Sequence, residues 1–290
     1  MSFTIITDSA ANLKKSFLTL NGIKTVKMPY FINGEEFNCI DIDKFDDSAY
    51  YEKIKAGTKV STSQVNPHQF AEVFEEELKK GNDLIFIGLS SGVSGSFKSA
   101  EIAKAELEEM YPKNKIYLLD SLGAALGIGL CVYYACMYRK KGYSAEKAFE
   151  KLSDVRDRLY QVFIVDDLMH LKRTGRLSNV SAAVGCVLGI KPILKGNAEG
   201  RIVATGKIRG RKPAILALAE KCLKLIKETT VIGITYAGCK EDALMLKKLI
   251  EEKITPQKFI IEKHEPVTGA HIGPGALALF FIGDKNVRNM

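Results

Sequence analysis

The chain has 290 residues, 46% hydrophobic and 26% charged, enough for one large or two ordinary domains with a proper core. Its net charge of +8 is uneven: residues 1–150 sum to −2 and residues 151–290 to +10, an asymmetry that marks two domains, the second meeting something acidic. The six cysteines (Cys39, Cys131, Cys136, Cys186, Cys222, Cys239) form no Cys-x-x-Cys pair and no metal-ligand spacing with the four histidines, which argues against a zinc module or a disulfide framework and for reduced thiols in a cytoplasm.

Phe3–Thr7 reads as a first strand, with no secretory leader ahead of it, and it closes at Asp8-Ser9. Asn12–Leu20 follows as a helix with Leu13, Phe17 and Leu20 on one face. Thr25–Ile32 reads as one strand, with Pro29 arguing for an edge position, and Asn33-Gly34 is a turn signal. Ser48–Lys55 is expected to be helical. Lys59–Gln64 is a polar loop, after which Asn66 as N-cap, Pro67 at the first helical position and Gln69 closing a capping box predict a helix bearing Phe70, Val73, Phe74 and Leu78.

Asp83–Leu89 is a continuous apolar run of the kind that forms a strand buried on both faces, and it feeds Gly88-Leu89-Ser90-Ser91-Gly92-Val93-Ser94-Gly95-Ser96 before a helix at Phe97–Met110. A strand-to-helix loop lies at the C-terminal edge of a parallel sheet, where glycines permit a tight turn, and free N–H groups and the helix dipole favour a negative group. The simpler reading is that Ser94 or Ser96 caps the helix. Ile116–Leu119 is another strand, ending at Asp120-Ser121, and Leu122–Tyr138 reads as a buried helix rather than a membrane span. Asp8 and Asp120 are expected to cap helices or hold serine side chains rather than bind metal.

Strand–helix alternation through Leu159 predicts an α/β domain with a parallel sheet over residues 1–159. The rhythm then changes. Tyr160–Val165 is a strand, Leu168–Ser178 ends in a Gly-bearing turn, Val180–Ile190 is a small-residue helix, and Leu188–Leu194 pairs hairpin-like with Arg201–Thr205. Helices Lys212–Lys227 and Lys240–Lys253 flank a strand at Thr230–Tyr236, and strands Phe259–Glu262 and Leu277–Ile282 finish an α+β domain over residues 160–290, whose last strand has the option of returning to the first sheet. His271–Ala276 reads as a turn whose glycines imply a special backbone path. Lys195–Lys212 is basic without interleaved aromatics, so nucleic acid is not the expected partner.

Two chemistries fit these motifs. Gly88-Leu89-Ser90-Ser91-Gly92 is a Gly-x-Ser-x-Gly pattern in strand–turn–helix context, so a serine hydrolase acting on lipid or ester substrates is one reading. It would use Ser90 or Ser94 as nucleophile, with Asp166 or Asp167 and His264 or His271 following in order, but no oxyanion segment precedes it. The other reading is a binding site for a carboxyl group. Neither Ser61–Gln64 nor Ser90–Ser96 contains a basic residue, and hydroxyls without Arg or Lys suit a carboxyl better than a phosphate. No Walker-type Gly-x-x-x-x-Gly-Lys motif is present.

The ordered set Thr7-Asp8-Ser9, Ser61-Thr62-Ser63-Gln64, Leu89-Ser90-Ser91 with Ser94-Gly95, Asp120-Ser121, Leu171–Ser178, Lys191-Pro192-Ile193-Leu194 and His271–Leu277 resembles the DegV family over the whole chain. The resemblance implies a parallel-sheet α/β domain and an α+β domain with one long-chain fatty acid, such as palmitate, in the cleft between them. It also implies no cofactor and no enzymatic activity of the chain by itself, but a role as the acyl-carrying subunit that offers its carboxyl group to a separate fatty acid kinase. Carried over by position, the carboxylate ligands fall on Thr62 and Ser94. The residues that present the head group to the partner fall on Arg176, Arg209 and His271, placed outside the two hydroxyl loops. Val65-Asn66 stands between Gln64 and Pro67, where family members often have Pro directly after Ser-Gln.

Overall fold

The computed structural model describes residues 3–177 and 189–290. Its strands are β1 (Thr4–Asp8), β2 (Lys24–Val26), β3 (Pro29–Ile32), β4 (Glu35–Asn38), β5 (Val60–Thr62), β6 (Leu84–Gly88), β7 (Ile116–Asp120), β8 (Leu159–Ile164), β9 (Ile190–Gly196), β10 (Ile202–Arg209), β11 (Glu228–Tyr236), β12 (Phe259–Lys263) and β13 (Leu277–Ile282). The helices are α1 (Lys15–Leu20), α2 (Asp47–Lys55), α3 (Pro67–Leu78), α4 (Ser96–Met110), α5 (Leu126–Lys140), α6 (Ala145–Arg158), α7 (Leu168–Arg173), α8 (Arg211–Leu225), α9 (Lys240–Glu251) and α10 (Pro266–Ile272). The expected helix at Val180–Ile190 falls almost wholly on residues outside the described ones.

The first sheet is parallel, in the order β2-β1-β6-β7, as the continuous apolar runs of its strands require. The second is mixed, in the order β10-β9-β8-β13-β11-β12, and the last strand, β13, pairs between β8 and β11 there. Side-chain alternation sends Leu159, Phe163, Ala278 and Phe280 to one face of this sheet and Tyr160, Val162, Ile164, Leu279 and Phe281 to the other, where α8 and α9 pack.

Between the two sheets lies α5, touching β1 and β6 on one side and β8, β11 and β13 on the other. A helix flanked by sheets on both sides must be apolar all round, and ten of its fifteen residues are buried. Close approach is set by glycine: a Cβ at Gly129 would come within 2.5 Å of the Ala11 carbonyl oxygen. The membrane-length apolar stretch is thus the shared core of the two halves, and among the described residues no helix is long and apolar enough to cross a membrane.

Besides Val60–Thr62, read as part of a polar loop and found as strand β5 through its pairing with β3, two expectations are corrected. Thr25–Ile32 is not one strand: it breaks at Lys27-Met28 into β2, an edge of the parallel sheet, and β3, the centre of a small antiparallel sheet β4-β3-β5. Pro29 fits the central strand because it is the first residue, where its missing N–H costs no ladder bond. The second correction is that His271 and Ile272 are helical, closing α10, and only Gly273-Pro274-Gly275 turns. Gly273 and Gly275 have φ of 77° and 78°; a Cβ at Gly273 would sit 2.9 Å from the His170 ring, and one at Gly275 would collide with the Asp166 carboxylate.

Candidate functional site

The C-terminal ends of β1, β6 and β7 meet at one edge, and side chains there are spent on joining strands. Asp8 accepts from Leu89 N at 2.7 Å and Ala10 N at 3.1 Å, Thr7 Oγ1 donates to Ile87 O, and Ser121 Oγ donates to Gly88 O. Burial pushes the Asp8 carboxyl up to about 7. Asp120 accepts from Ser91 N and Leu122 N, so it holds backbone and not a serine side chain.

The serine-rich loop that follows β6 differs from expectation in one respect. Most of its amides are already bonded: Ser91 N goes to Asp120, Gly92 N to Ser90 Oγ, Val93 N and Ser94 N to Ser90 O, and Ser96 N to Ser94 Oγ, while Gly95 N, at the cavity, has no partner among the described residues. A ligand therefore meets hydroxyls and the Gly95 N–H rather than a full cradle of N–H groups. Ser94, half-buried, lies 3.1 Å from Ser96 Oγ, which accepts from Val65 N at 3.1 Å. Through Val65, one of the two residues between Gln64 and Pro67, the two hydroxyl loops are bonded to each other. At their crossing Gly95 lets the Gln64 side chain lie close against it, since a Cβ there would push the Gln64 amide aside.

Across from these loops stands α10, capped by the buried Glu265, which accepts from Val267 N and Thr268 N. Desolvation raises Glu265 to about 7, against the pull of those donors. The helix reaches into the first half of the chain, packing on β3, β5 and α2, where Tyr50 and Tyr51 hydroxyls hold the carbonyls of Pro266 and His264. His271 is thereby set with Nε2 2.8 Å from Thr62 Oγ1, while its buried Nδ1 has no partner among the described residues. Burial, then the Arg176 and His170 charges, lower His271 to about 3, so the ring is neutral.

Thr62, Ser94, Arg176 and His271 line one cavity of about 170 Å³, together with Gln64, Leu89 and Val267. Arg176 approaches only carbonyls, of Val93 at 3.4 Å and Thr174 at 2.5 Å, and forms no ion pair among the described residues. Burial lowers its pKa, yet a guanidinium stays charged at neutral pH. Val93, Ala124, Ile202, Thr268 and Ile272 also line a second cavity of about 70 Å³, which continues inward between the sheets and is walled by Phe163, Ala278 and Phe280. The geometry is thus a polar mouth with one uncompensated cation, leading to an apolar chamber. Thr268 belongs to both cavities and escaped the sequence reading, because α10 is short and contains Gly269.

Arg209 is placed elsewhere. It is exposed at the end of the edge strand β10 and lines neither cavity. Arg176 and His271, read from sequence as lying outside the hydroxyl loops, face the same cavity as Thr62 and Ser94.

No Ser–His–Asp relay is assembled among the described residues: Ser94 and His271 share the cavity, but His271 Nε2 meets Thr62 and its Nδ1 has no carboxylate partner. Ser90 Oγ is buried and donates to Gly200 O at 2.8 Å, His264 lies between Thr235 Oγ1 and Thr268 Oγ1, Asp166 pairs with Lys191 and Arg211, and Asp167 caps α7. Among the described residues no cluster of three metal-ligating side chains occurs.

A family model described as "Uncharacterised protein, DegV family" matches residues 2–284. The chain belongs to the DegV family. A DegV domain-containing protein of Clostridium perfringens is 38% identical over 289 residues, covering 97% of this chain and 98% of that one. One from Lactococcus lactis is 36% identical, covering 99% of each. Among solved structures, the DegV family protein of Thermus thermophilus, described for its fatty acid binding, superposes with a TM-score of 0.88 at 25% identity, covering 98% of this chain and 100% of that one. DegV of Bacillus subtilis, described as a fatty acid binding protein, gives 0.81 at 30% identity with the same coverage. The N-terminal parallel sheet and C-terminal mixed sheet of this chain thus correspond to a two-domain DegV fold.

Proposed function

We propose that this DegV protein is a cytoplasmic carrier that binds one long-chain fatty acid, such as palmitate, and offers its carboxyl group to a separate kinase for acyl-phosphate formation, without a cofactor of its own. The observation that supports the binding is that the Thr62–Ser94–Arg176–His271 mouth shares Val93, Ala124, Ile202, Thr268 and Ile272 with the apolar chamber beside it. In this reading the carboxylate pairs with Arg176 and accepts hydrogen bonds from the Thr62 and Ser94 hydroxyls, Ser94 turning from Ser96 Oγ to do so. The kinase step follows the family resemblance; of the three residues it assigns to the partner, Arg176, Arg209 and His271, the exposed one on the basic half that lines neither cavity is Arg209.

Neutral His271 has two tautomers, and they differ in what they leave for a ligand. With hydrogen on Nε2 the ring donates to Thr62 Oγ1 and the Thr62 proton is free to meet the carboxylate; with hydrogen on Nδ1 that proton is spent on the ring. A carboxylate in the mouth selects the first. His271 is then a positioning residue for the Thr62 hydroxyl.

Protein purified from a bacterial host and extracted with organic solvent should release about one fatty acid per chain by mass spectrometry. Repeated recovery of lipid-free protein that binds none on titration would sink the proposal. A fluorophosphonate probe should leave the protein unlabelled.

A further inference from the structure

One polar residue that lines the inner chamber and not the mouth is Gln161. On β8 the alternation that sends Leu159 and Phe163 toward α5 sends Gln161 the same way, into the chamber wall, in a position where every strand neighbour on that face is apolar. Gln161 is only 7% exposed, so its amide must be satisfied internally. It is: Nε2 donates to Leu122 O at 3.0 Å and Oε1 accepts from Ala124 N at 3.2 Å. Both bonds go to the main chain entering α5, a stretch in which Leu122 and Ala125 hold φ of 50° and 51°.

Three glycines stand behind this side chain. A Cβ at Gly123 would lie 2.7 Å from the Gln161 amide, one at Gly127 would collide with its Oε1, and one at Gly196 would lie 3.4 Å from Nε2. Beyond Gln161, therefore, these positions offer only backbone, and the space their missing side chains leave is filled by this one amide. It lines the inner chamber and not the mouth.

Resting on the fatty-acid reading of the site, we propose that Gln161 is the end-stop of the acyl chamber and sets the longest chain this protein accepts. Shortening the side chain opens the space in front of Gly123, Gly127 and Gly196 to the end of the tail. Each methylene that gains a place there is worth about four-fold in affinity, or about 0.8 kcal/mol. Because the amide's bonds are made to backbone, it acts by bulk, and a side chain of similar size without an amide should stop the tail at the same length.

The test is a dissociation-constant series with saturated acids from twelve to twenty carbons on the wild type and on Gln161→Ala, Gln161→Asn and Gln161→Leu, each checked for folding by its melting transition. Gln161→Ala should move the optimum up by about two carbons, at about four-fold per methylene, Gln161→Asn by less, and Gln161→Leu should leave it where it is. If Gln161→Ala does not fold, the Asn and Leu variants decide between them. Wild type that binds fatty acid, with variants sharing its optimum, overturns the end-stop alone. Wild type that binds no acid at any length overturns the fatty-acid reading itself.

Discussion

Replacing Thr62 with Val removes one hydroxyl and almost no volume, so it isolates the head-group contact from the packing of the mouth. In the free protein His271 Nε2 loses its 2.8 Å partner, and since Nδ1 already has none, a buried neutral imidazole is left with both nitrogens unpaired. An unmet buried polar group costs about 1–3 kcal/mol, so the melting temperature should fall. In the complex the carboxylate loses a hydrogen bond to a charged group, worth about 1.5–3 kcal/mol, or roughly ten- to 150-fold in Kd. The tail is untouched. The assay is titration of wild type and Thr62→Val with a fatty acid and with the alcohol of the same length, which keeps the tail and drops the charge. The acid should weaken by at least about ten-fold relative to the alcohol. Equal loss for both ligands would mean that Thr62 shapes the mouth without touching the head group, and the argument would fail. With a kinase supplied, acyl-phosphate formation should fall further than affinity, because a loosely held carboxyl is a poor acceptor.

Arg176→Ala should weaken acid binding more than alcohol binding, whereas Arg209→Ala should leave both unchanged and reduce only coupling to an acidic partner, with a salt-sensitive loss; loss of lipid binding in Arg209→Ala would contradict its exposed position on β10. Gly92→Ala should destabilise by about 1–3 kcal/mol in chemical denaturation, because its Cβ would meet Glu199 O at 2.6 Å and Gly200 C at 2.7 Å, backbone atoms with no rotamer to move; unchanged stability would deny the docking of this loop on the β9–β10 turn. His264, held near 3 by burial, stays neutral while the unfolded chain protonates below about 6.5, so it contributes stability that is full above that pH and lost on acidification toward 3, by about 1.4 kcal/mol per pH unit. Asp8 and Glu265, raised to about 7, act with the opposite sign between about pH 4 and 7, so the measurement is the difference between wild type and His264→Gln: the variant should lose less stability on acidification, and parallel profiles would refute the assignment.

The parallel sheet, its helices and the Asn66–Gln69 capping box are legible in the sequence because each rests on a local signal: a continuous apolar run, a 3.6-residue period, or a cap three residues ahead of its partner. The break in Thr25–Ile32 is not, since Lys27-Met28 carries no turn residue and the division comes from pairing with two different sheets. The same holds for α10, whose seven residues start from a Glu cap and derive their order from Tyr50 and Tyr51, more than two hundred residues earlier. At the site, the hydroxyl clusters stand out by composition. What composition leaves open is their division of labour, with Ser90 turned inward to Gly200 and Ser94 open to the cavity. That Arg176 and His271 face the ligand side depends on how α10 and the turn after α7 come back over the first sheet, a long-range outcome with no local signature.

The charge balance of the mouth explains why a low His271 pKa is useful there. A carboxylate taken out of water is costly unless paired, and Arg176 brings one positive charge that is otherwise uncompensated among the described residues. A protonated His271 beside it would leave the site at +2 against one negative charge, with like charges close together. Burial and the Arg176 field hold the ring neutral, so under the proposed function a mouth occupied by a carboxylate would sum to zero, with His271 fixing the Thr62 hydroxyl. A tail of about fourteen methylenes gives roughly 11 kcal/mol gross, of the same order as the cost of association. Affinity then comes mainly from the chamber and orientation from the mouth. A phosphate group carrying close to two charges would leave about one of them unpaired against the same single guanidinium, which is the physical reason for proposing a carboxylate as the occupant of the mouth.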